Sequence, residues 1–200
     1  FSSGKYYKLV PTSGAPTLEI SGIRMHATKE LTPMEDAKLK VTALKARGGV
    51  ALDTCGGLGY TAIQLAKRKC FVVSVEVDRN VLSIAKLNPW SKEYFENPRI
   101  NIVNSDIFKL VKAFRDSVFN FVLHDPPRMS LAEELYTLEF YRELYRVLKR
   151  RGRLFHYTGE PKSKYRRFNI YSLVARKLRE AGFTDIRKHV KVKGVSAVKP

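Results

Sequence analysis

The stretch Val50-Ala51-Leu52-Asp53-Thr54-Cys55-Gly56-Gly57-Leu58-Gly59-Tyr60-Thr61-Ala62 decides how this chain is read. Val50–Asp53 is a short apolar strand ending on an acid, three glycines follow, and a helix opens at Tyr60 and runs to about Lys69. A glycine turn between a strand and a helix lets backbone amides approach a ligand closely, and the helix start favours negative groups. Gly57-x-Gly59-x-x-Ala62 therefore marks a nucleotide-type cofactor site, although the loop alone does not choose the cofactor.

Working outward, short apolar runs alternate with helical stretches. Strands are expected at Val50–Asp53, Phe71–Glu76, Ile100–Asn104, Phe119–Asp125 and Arg153–Tyr157. Helices are expected at about Tyr60–Lys69, Asn80–Leu87, Ile107–Phe114, Leu131–Lys149 and Lys164–Ala181, the last stopped by Gly182. Thr184–Val190 and Gly194–Val198 close the chain as two strands joined by a short turn. Alternation of this kind predicts a parallel sheet with right-handed crossovers and an antiparallel excursion at the end. Upstream, Tyr6–Val10 and Thr17–Met25 read as a hairpin. Thr32-Pro33-Met34-Glu35 is a capping box with proline at the first helical position, so a helix should run from there to about Lys45. We divide the chain into an N-terminal hairpin-and-helix extension, 1–45, and a cofactor-binding domain, 46–200.

Composition narrows the class. No apolar run approaches the roughly 18 residues that span a bilayer. Cys55 and Cys70 cannot build a disulfide framework, so a reducing cytoplasm is expected. No His/Cys cluster has metal-ligand spacing, and no metal site is expected. The net charge of +18 is uneven: from Arg146 to Lys199 there are 17 Lys and Arg against three acids, a net +14, which leaves +4 elsewhere. Such a basic C-terminal third would attract a polyanion. Lys162, Lys164, Arg166 and Arg167, interleaved with Tyr157, Tyr165, Phe168 and Tyr171, have the make-up of a platform for single-stranded RNA.

Glu76 ends the second strand, 17 residues beyond Gly59, where an acid accepts both hydroxyls of a ribose. That acid suits NAD and S-adenosylmethionine (SAM) alike. Asn104-Ser105-Asp106-Ile107 follows the third strand, and His124-Asp125-Pro126-Pro127-Arg128 ends the fourth. With these in place the chain resembles the class I SAM-dependent methyltransferases, whose acids fall at successive strand ends in this order. The resemblance implies a Rossmann-like α/β fold with a seven-stranded sheet, here with a small N-terminal β-hairpin. It also implies SAM as cofactor, giving S-adenosylhomocysteine. Its expected contacts are Asp53, Cys55, Gly57, Gly59, Tyr60, Glu76, Val77, Asp106, Ile107 and Asp125. Cys55 stands where the commonest loop has a further glycine.

Asp125-Pro126-Pro127 resembles the D/N-P-P-aromatic motif of methyltransferases that act on planar amino groups. A carboxylate and a fixed backbone carbonyl accepting from the amine would aim its lone pair at the methyl group. Arg128 takes the place of the aromatic residue; it would stack on a ring or hold a phosphate. On this reading Asp125, Pro126, Pro127 and Arg128 form the reaction centre, and Arg128 joins Lys162, Lys164, Arg166 and Arg167 in binding RNA. The expected activity is methyl transfer to an amino or ring nitrogen of RNA. A non-enzymatic RNA-binding protein is a further alternative.

A second resemblance runs through the same fold. Leu18-Glu19-Ile20-Ser21-Gly22-Ile23 resembles the L-x-L-D-G-I hairpin of the spermidine synthases, and Met34-Glu35 their following helix. Leu135-Tyr136-Thr137-Leu138-Glu139-Phe140-Tyr141 resembles their L-[YF]-[TS]-x-E-F-Y segment. The combination is similar to an uncharacterised archaeal methyltransferase group close to that family. This implies the alternative activity, aminopropyl transfer from decarboxylated SAM to a polyamine. Two features weigh against it: Arg128 stands where that family's D-x-x-D motif has its second acid, and a basic chain repels a polycation.

Overall fold

A computed structural model describes residues 4–26, 30–159 and 169–200. At the N-terminus β1 (Tyr7–Val10), β2 (Thr17–Ile20) and β3 (Ile23–Arg24) form a small antiparallel sheet in that order. The run Thr17–Met25, read from sequence as one arm of the hairpin with an interruption at Gly22, is two strands, because Ser21 (φ 47°) and Gly22 (φ 81°) make the two-residue turn that needs positive φ at both positions. Helix α1 (Pro33–Leu44) follows with a complete capping box: the Thr32 side chain accepts from the Glu35 amide, and Glu35 accepts from Thr32 N–H at 2.8 Å.

Strands and helices then alternate through β4 (Val50–Asp53), α2 (Tyr60–Lys67), β5 (Phe71–Glu76), α3 (Arg79–Lys86), α4 (Lys92–Glu96), β6 (Ile100–Asn104), α5 (Ile107–Leu110), β7 (Phe119–His124), α6 (Leu138–Val147), β8 (Leu148–Tyr157), α7 (Ile170–Glu180), β9 (Thr184–His189) and β10 (Gly194–Val198). The large sheet has seven strands in the order β6-β5-β4-β7-β8-β10-β9. Neighbours from β6 to β8 pair in parallel, while β10 runs antiparallel to both β8 and β9. This is the α/β architecture that the alternating pattern predicts.

Several elements differ from expectation. The long helix over Leu131–Lys149 is a 3-10 turn at Glu133–Tyr136 and then α6, because the Thr137 hydroxyl accepts from the Phe140 amide and starts a new helix. Leu148 leaves that helix for β8, which slips register between Phe119↔Leu148 and Phe121↔Arg153. Gly152 sits at the slip, where a Cβ would lie 2.6 Å from the Lys149 carbonyl. The helix expected from Lys164 falls partly outside the described residues; α7 starts at Ile170, with Asn169 capping the Ser172 amide. Ile107–Phe114 breaks into α5 and a 3-10 turn, Val111–Ala113.

One core lies between the large sheet and α6 and α7, around Phe119, Phe140, Tyr141, Leu144, Leu154 and Val174. Another lies under α1 and α2, around Val41, Leu44, Ile63, Leu123 and Phe155. The small sheet is tied to the rest by a third cluster, in which Leu18 packs with Ala37, Leu58, Tyr60, Val81 and Ala85. That contact carries the small sheet over the carboxyl ends of the parallel strands.

Candidate active site

Asp53, Glu76, Asn104 and His124 end β4 to β7 in space as they do in sequence, and a cavity of about 520 Å³ lies at those ends. The glycine loop forms one wall. Its Gly59 has φ 81°, and a Cβ there would run into the Tyr94 ring. Any side chain would therefore force the loop and Tyr94 of α4 apart. The Gly57 amide donates to Glu76 Oε2 at 2.8 Å, and the Asp78 amide to Oε1 at 2.9 Å. Burial pushes the Glu76 carboxyl above its ordinary range, against those two donors. Each oxygen keeps lone-pair capacity for a further donor.

Of the residues singled out from sequence, Cys55, Gly57, Tyr60, Glu76, Val77, Asp106, Ile107, Asp125, Pro126 and Pro127 line this cavity. Gly59 and Asp53 stand behind it. Asp53 is fully buried and accepts from Thr61 Oγ1 at 3.1 Å and Ser74 Oγ at 2.8 Å, so it ties loop to sheet. Burial pushes its carboxyl up to about 7 despite those hydroxyl donors. Arg128 is exposed and does not line the cavity. Lys162, Lys164, Arg166 and Arg167 lie outside the described residues. Burial raises the Cys55 thiol well above its usual value, which suits a packed thiol rather than a nucleophile.

Behind the Asp125-Pro126-Pro127 loop sits a buried histidine pair. His124 Nε2 lies 3.1 Å from the Leu135 carbonyl, which can only accept, so Nε2 carries the proton and Nδ1 accepts from Thr54 Oγ1 at 2.7 Å. His156 is the mirror case: Nδ1–H donates to the Tyr157 carbonyl at 2.7 Å, and Nε2 accepts from Tyr141 at 2.7 Å. Burial pulls His156 down to about 3 and His124 well below its ordinary value. Both are neutral packing groups with every nitrogen engaged.

The residue that sequence reading missed is Lys40. Its Nζ lies 2.7 Å from Asp125 Oδ2, 2.7 Å from Asp36 Oδ2, and 4.2 Å from the centre of the Tyr157 ring. Its side chain is 4% exposed. Burial alone would pull its pKa down, but the two carboxylates overcome that and hold the ammonium above the usual lysine value. The clue was present in α1. Asp36 and Lys40 are spaced i,i+4 on the stripe that also buries Ala37, Val41 and Leu44, so two charges sit where only apolar residues would be expected.

The cavity is acidic. Asp36, Glu76, Asp78, Asp106, Asp125 and Glu134 line it, whereas Lys5 is the one Lys or Arg among the described lining residues. None of the described bases from Arg146 onward reaches it.

Residues 49–189 match the family described as the spermine/spermidine synthase domain. The chain belongs to that family. It is 50% identical to an uncharacterized protein of Methanocaldococcus jannaschii over its full length, covering 69% of that protein. It is 31% identical to a polyamine aminopropyltransferase of Saccharolobus solfataricus over 63% of this chain, but spans only 44% of that enzyme. A spermidine synthase solved with the transition-state analogue AdoDATO superposes with a TM-score of 0.76 at 21% identity, covering 98% of this chain and 73% of the other. That likeness concerns the fold.

Membership of the spermine/spermidine synthase family, with aminopropyltransferases among its relatives, overturns the expectation of RNA methylation. The expectation failed for two physical reasons. Asp125-Pro126-Pro127 constrains a carboxylate at a strand end whatever group is transferred. The net charge of the chain is also not the charge of the site, whose described lining has the opposite sign. Among the described residues no helix is long and apolar enough to cross a membrane, and no His, Cys, Asp or Glu cluster is arranged to hold a metal ion.

Proposed function

We propose that this chain carries the catalytic site of an aminopropyltransferase, moving the aminopropyl arm of decarboxylated SAM to an aliphatic amine, the class to which polyamines belong. The observation that carries this reading is the carboxylate lining of the cavity at the strand ends. Decarboxylated SAM is a sulfonium with a terminal ammonium and no carboxylate, so it is cationic throughout its reacting arm. Intact SAM would bring a carboxylate to a wall of carboxylates, and the Gly57 amide that could receive it already donates to Glu76.

On this reading Glu76 and Asp106 hold the nucleoside, with Val77 and Ile107 against the base, and Asp125 faces the acceptor. The acceptor nitrogen attacks the methylene carbon next to sulfur, a C–N bond forms, the C–S bond breaks, and sulfur leaves as a neutral thioether. The nitrogen must shed a proton, and Asp125 is the carboxylate placed to receive or relay it. Pro126, buried beside it, restricts the loop before substrate arrives. The free thiols Cys55 and Cys70 suit a reducing cytoplasm.

The test is release of the thioether nucleoside from decarboxylated SAM in the presence of a panel of mono-, di- and triamines. Amine-dependent release is expected. Absence of release with every amine, from protein shown to bind the donor, would overturn the reading.

A further inference from the structure

Behind the acceptor end of the cavity sits a cation supplied by the protein itself. Asp36 and Asp125 both line the cavity, and the Lys40 ammonium bridges them from behind at 2.7 Å to each while not lining it. The bridge is fixed. Lys40 is buried, its ammonium packs over the Tyr157 ring, and α1 is anchored by a complete capping box. Two carboxylates and one ammonium leave a single uncompensated negative charge at this wall. Glu134 also lines the cavity, but it is exposed, and water and salt screen it. Arg128, the next charged side chain in the loop, is likewise exposed and lies outside the cavity, so it does not enter this balance.

We infer that Lys40 is a specificity-determining residue that sets the acceptor class: an amine carrying one ammonium, with a neutral or anionic tail, rather than a polyamine. The first ammonium to arrive meets the one free negative charge at Asp125. A second, a few ångströms further along the same molecule, finds the remaining carboxylate already neutralised by Lys40. The inference rests on the aminopropyl-transfer reading for the ligand being an amine, but the charge balance it uses is independent of turnover.

Equilibrium binding separates the two. Affinities for n-butylamine and for 1,4-diaminobutane are measured by calorimetry at fixed ionic strength, with wild type, Lys40→Met, Lys40→Arg and Asp36→Asn. Removing the internal cation should shift the diamine-to-monoamine affinity ratio of Lys40→Met towards the diamine by about tenfold, the size expected for one partly screened charge at this range. Lys40→Arg keeps the cation and should keep the wild-type ratio. Asp36→Asn, nearly isosteric and still able to accept from Lys40, should move the ratio several-fold the other way. A folded Lys40→Met with an unchanged ratio overturns the inference. If Lys40→Met does not fold, an unchanged ratio in Asp36→Asn overturns it. A ratio that moves as expected without any aminopropyl transfer sinks the reaction and leaves charge selection standing. Transfer with an unmoved ratio does the reverse.

Discussion

The cavity wall and the C-terminal third of this protein are electrostatic opposites. The wall gathers Asp36, Glu76, Asp78, Asp106, Asp125 and Glu134 around one described lysine, whereas the segment from Arg146 to Lys199 carries 17 bases and three acids. Among the described residues, topology separates them. The acids stand at the carboxyl ends of the parallel strands and on α1, while Arg150 and Arg151 lie near the start of β8, at the far end of the sheet. Many of the bases are also engaged where they stand: Arg146 pairs with Glu143 and Asp116, Lys199 donates to the Tyr145 and Leu148 carbonyls, and Lys177 to the Tyr136 carbonyl. A net charge of +18 therefore says little about a recess that none of the described bases from Arg146 onward lines.

The largest effect is expected at Asp125. Asp125→Asn preserves shape and leaves Lys40 paired with Asp36, so the fold should survive and donor affinity should stay within a few-fold. Turnover should fall by about 10²- to 10⁴-fold, the range typical of losing a positioned proton acceptor. Steady-state kinetics beside donor titration checks both halves. A variant with more than a tenth of wild-type turnover would mean that the acidic wall binds amines without Asp125 taking part in chemistry.

The two regions also differ in how far sequence exposes them. The Asp53–Gly59 loop and the acids at 76, 106 and 125 are legible because each is local: a glycine turn, or an acid at the end of a five- or six-residue apolar run. The parallel order is legible because alternation leaves few topologies. The α6–β8 junction is not, because Leu148 fits the helical stripe through Leu144 and the strand equally well. Only pairing with Phe119 draws it into the sheet. Lys40 is hidden for a stronger reason. Its partner Asp125 lies 85 residues away, so the site's charge balance exists only after folding. Position 128 misleads in the opposite way. It continues a short motif in sequence, yet the chain turns it outwards.

Inside the basic third the chemistry changes again, and pH reveals it. His156 on β8 is buried neutral, with its pKa near 3, while in the unfolded chain it titrates near 6.5. Between those values the unfolded state binds the extra proton, so stability rises with pH there and is lost as pH falls below about 6.5. The slope is about 1.4 kcal/mol per pH unit. His156→Gln can still accept from Tyr141 but cannot charge. Between pH 6.5 and 5 the variant should therefore lose roughly 2 kcal/mol less than wild type. Asp53, pushed up to about 7, acts in the opposite sense in both proteins and cancels in the difference. Denaturant unfolding at the two pH values measures it. Equal acid losses in both proteins would show that this layer is not dry.

The smallest effect on turnover is expected at the outer face, and there it is the contrast that counts. We propose that the basic third binds polyanions such as single-stranded RNA through phosphate contacts, separately from the amine site. Arg150 and Arg151 are exposed and remote from the strand ends, so Arg150→Glu/Arg151→Glu should leave amine-dependent turnover within about twofold of wild type. If both residues touch phosphates, the dependence of log Kd on log salt for a single-stranded oligonucleotide should become shallower by about 1.4, some 0.7 for each lost contact. An unchanged slope removes these two arginines from the proposed face. A large fall in turnover would show instead that the two regions are coupled, because a charge reversal this far from the cavity is screened and reaches it only through the register of β8 against β7.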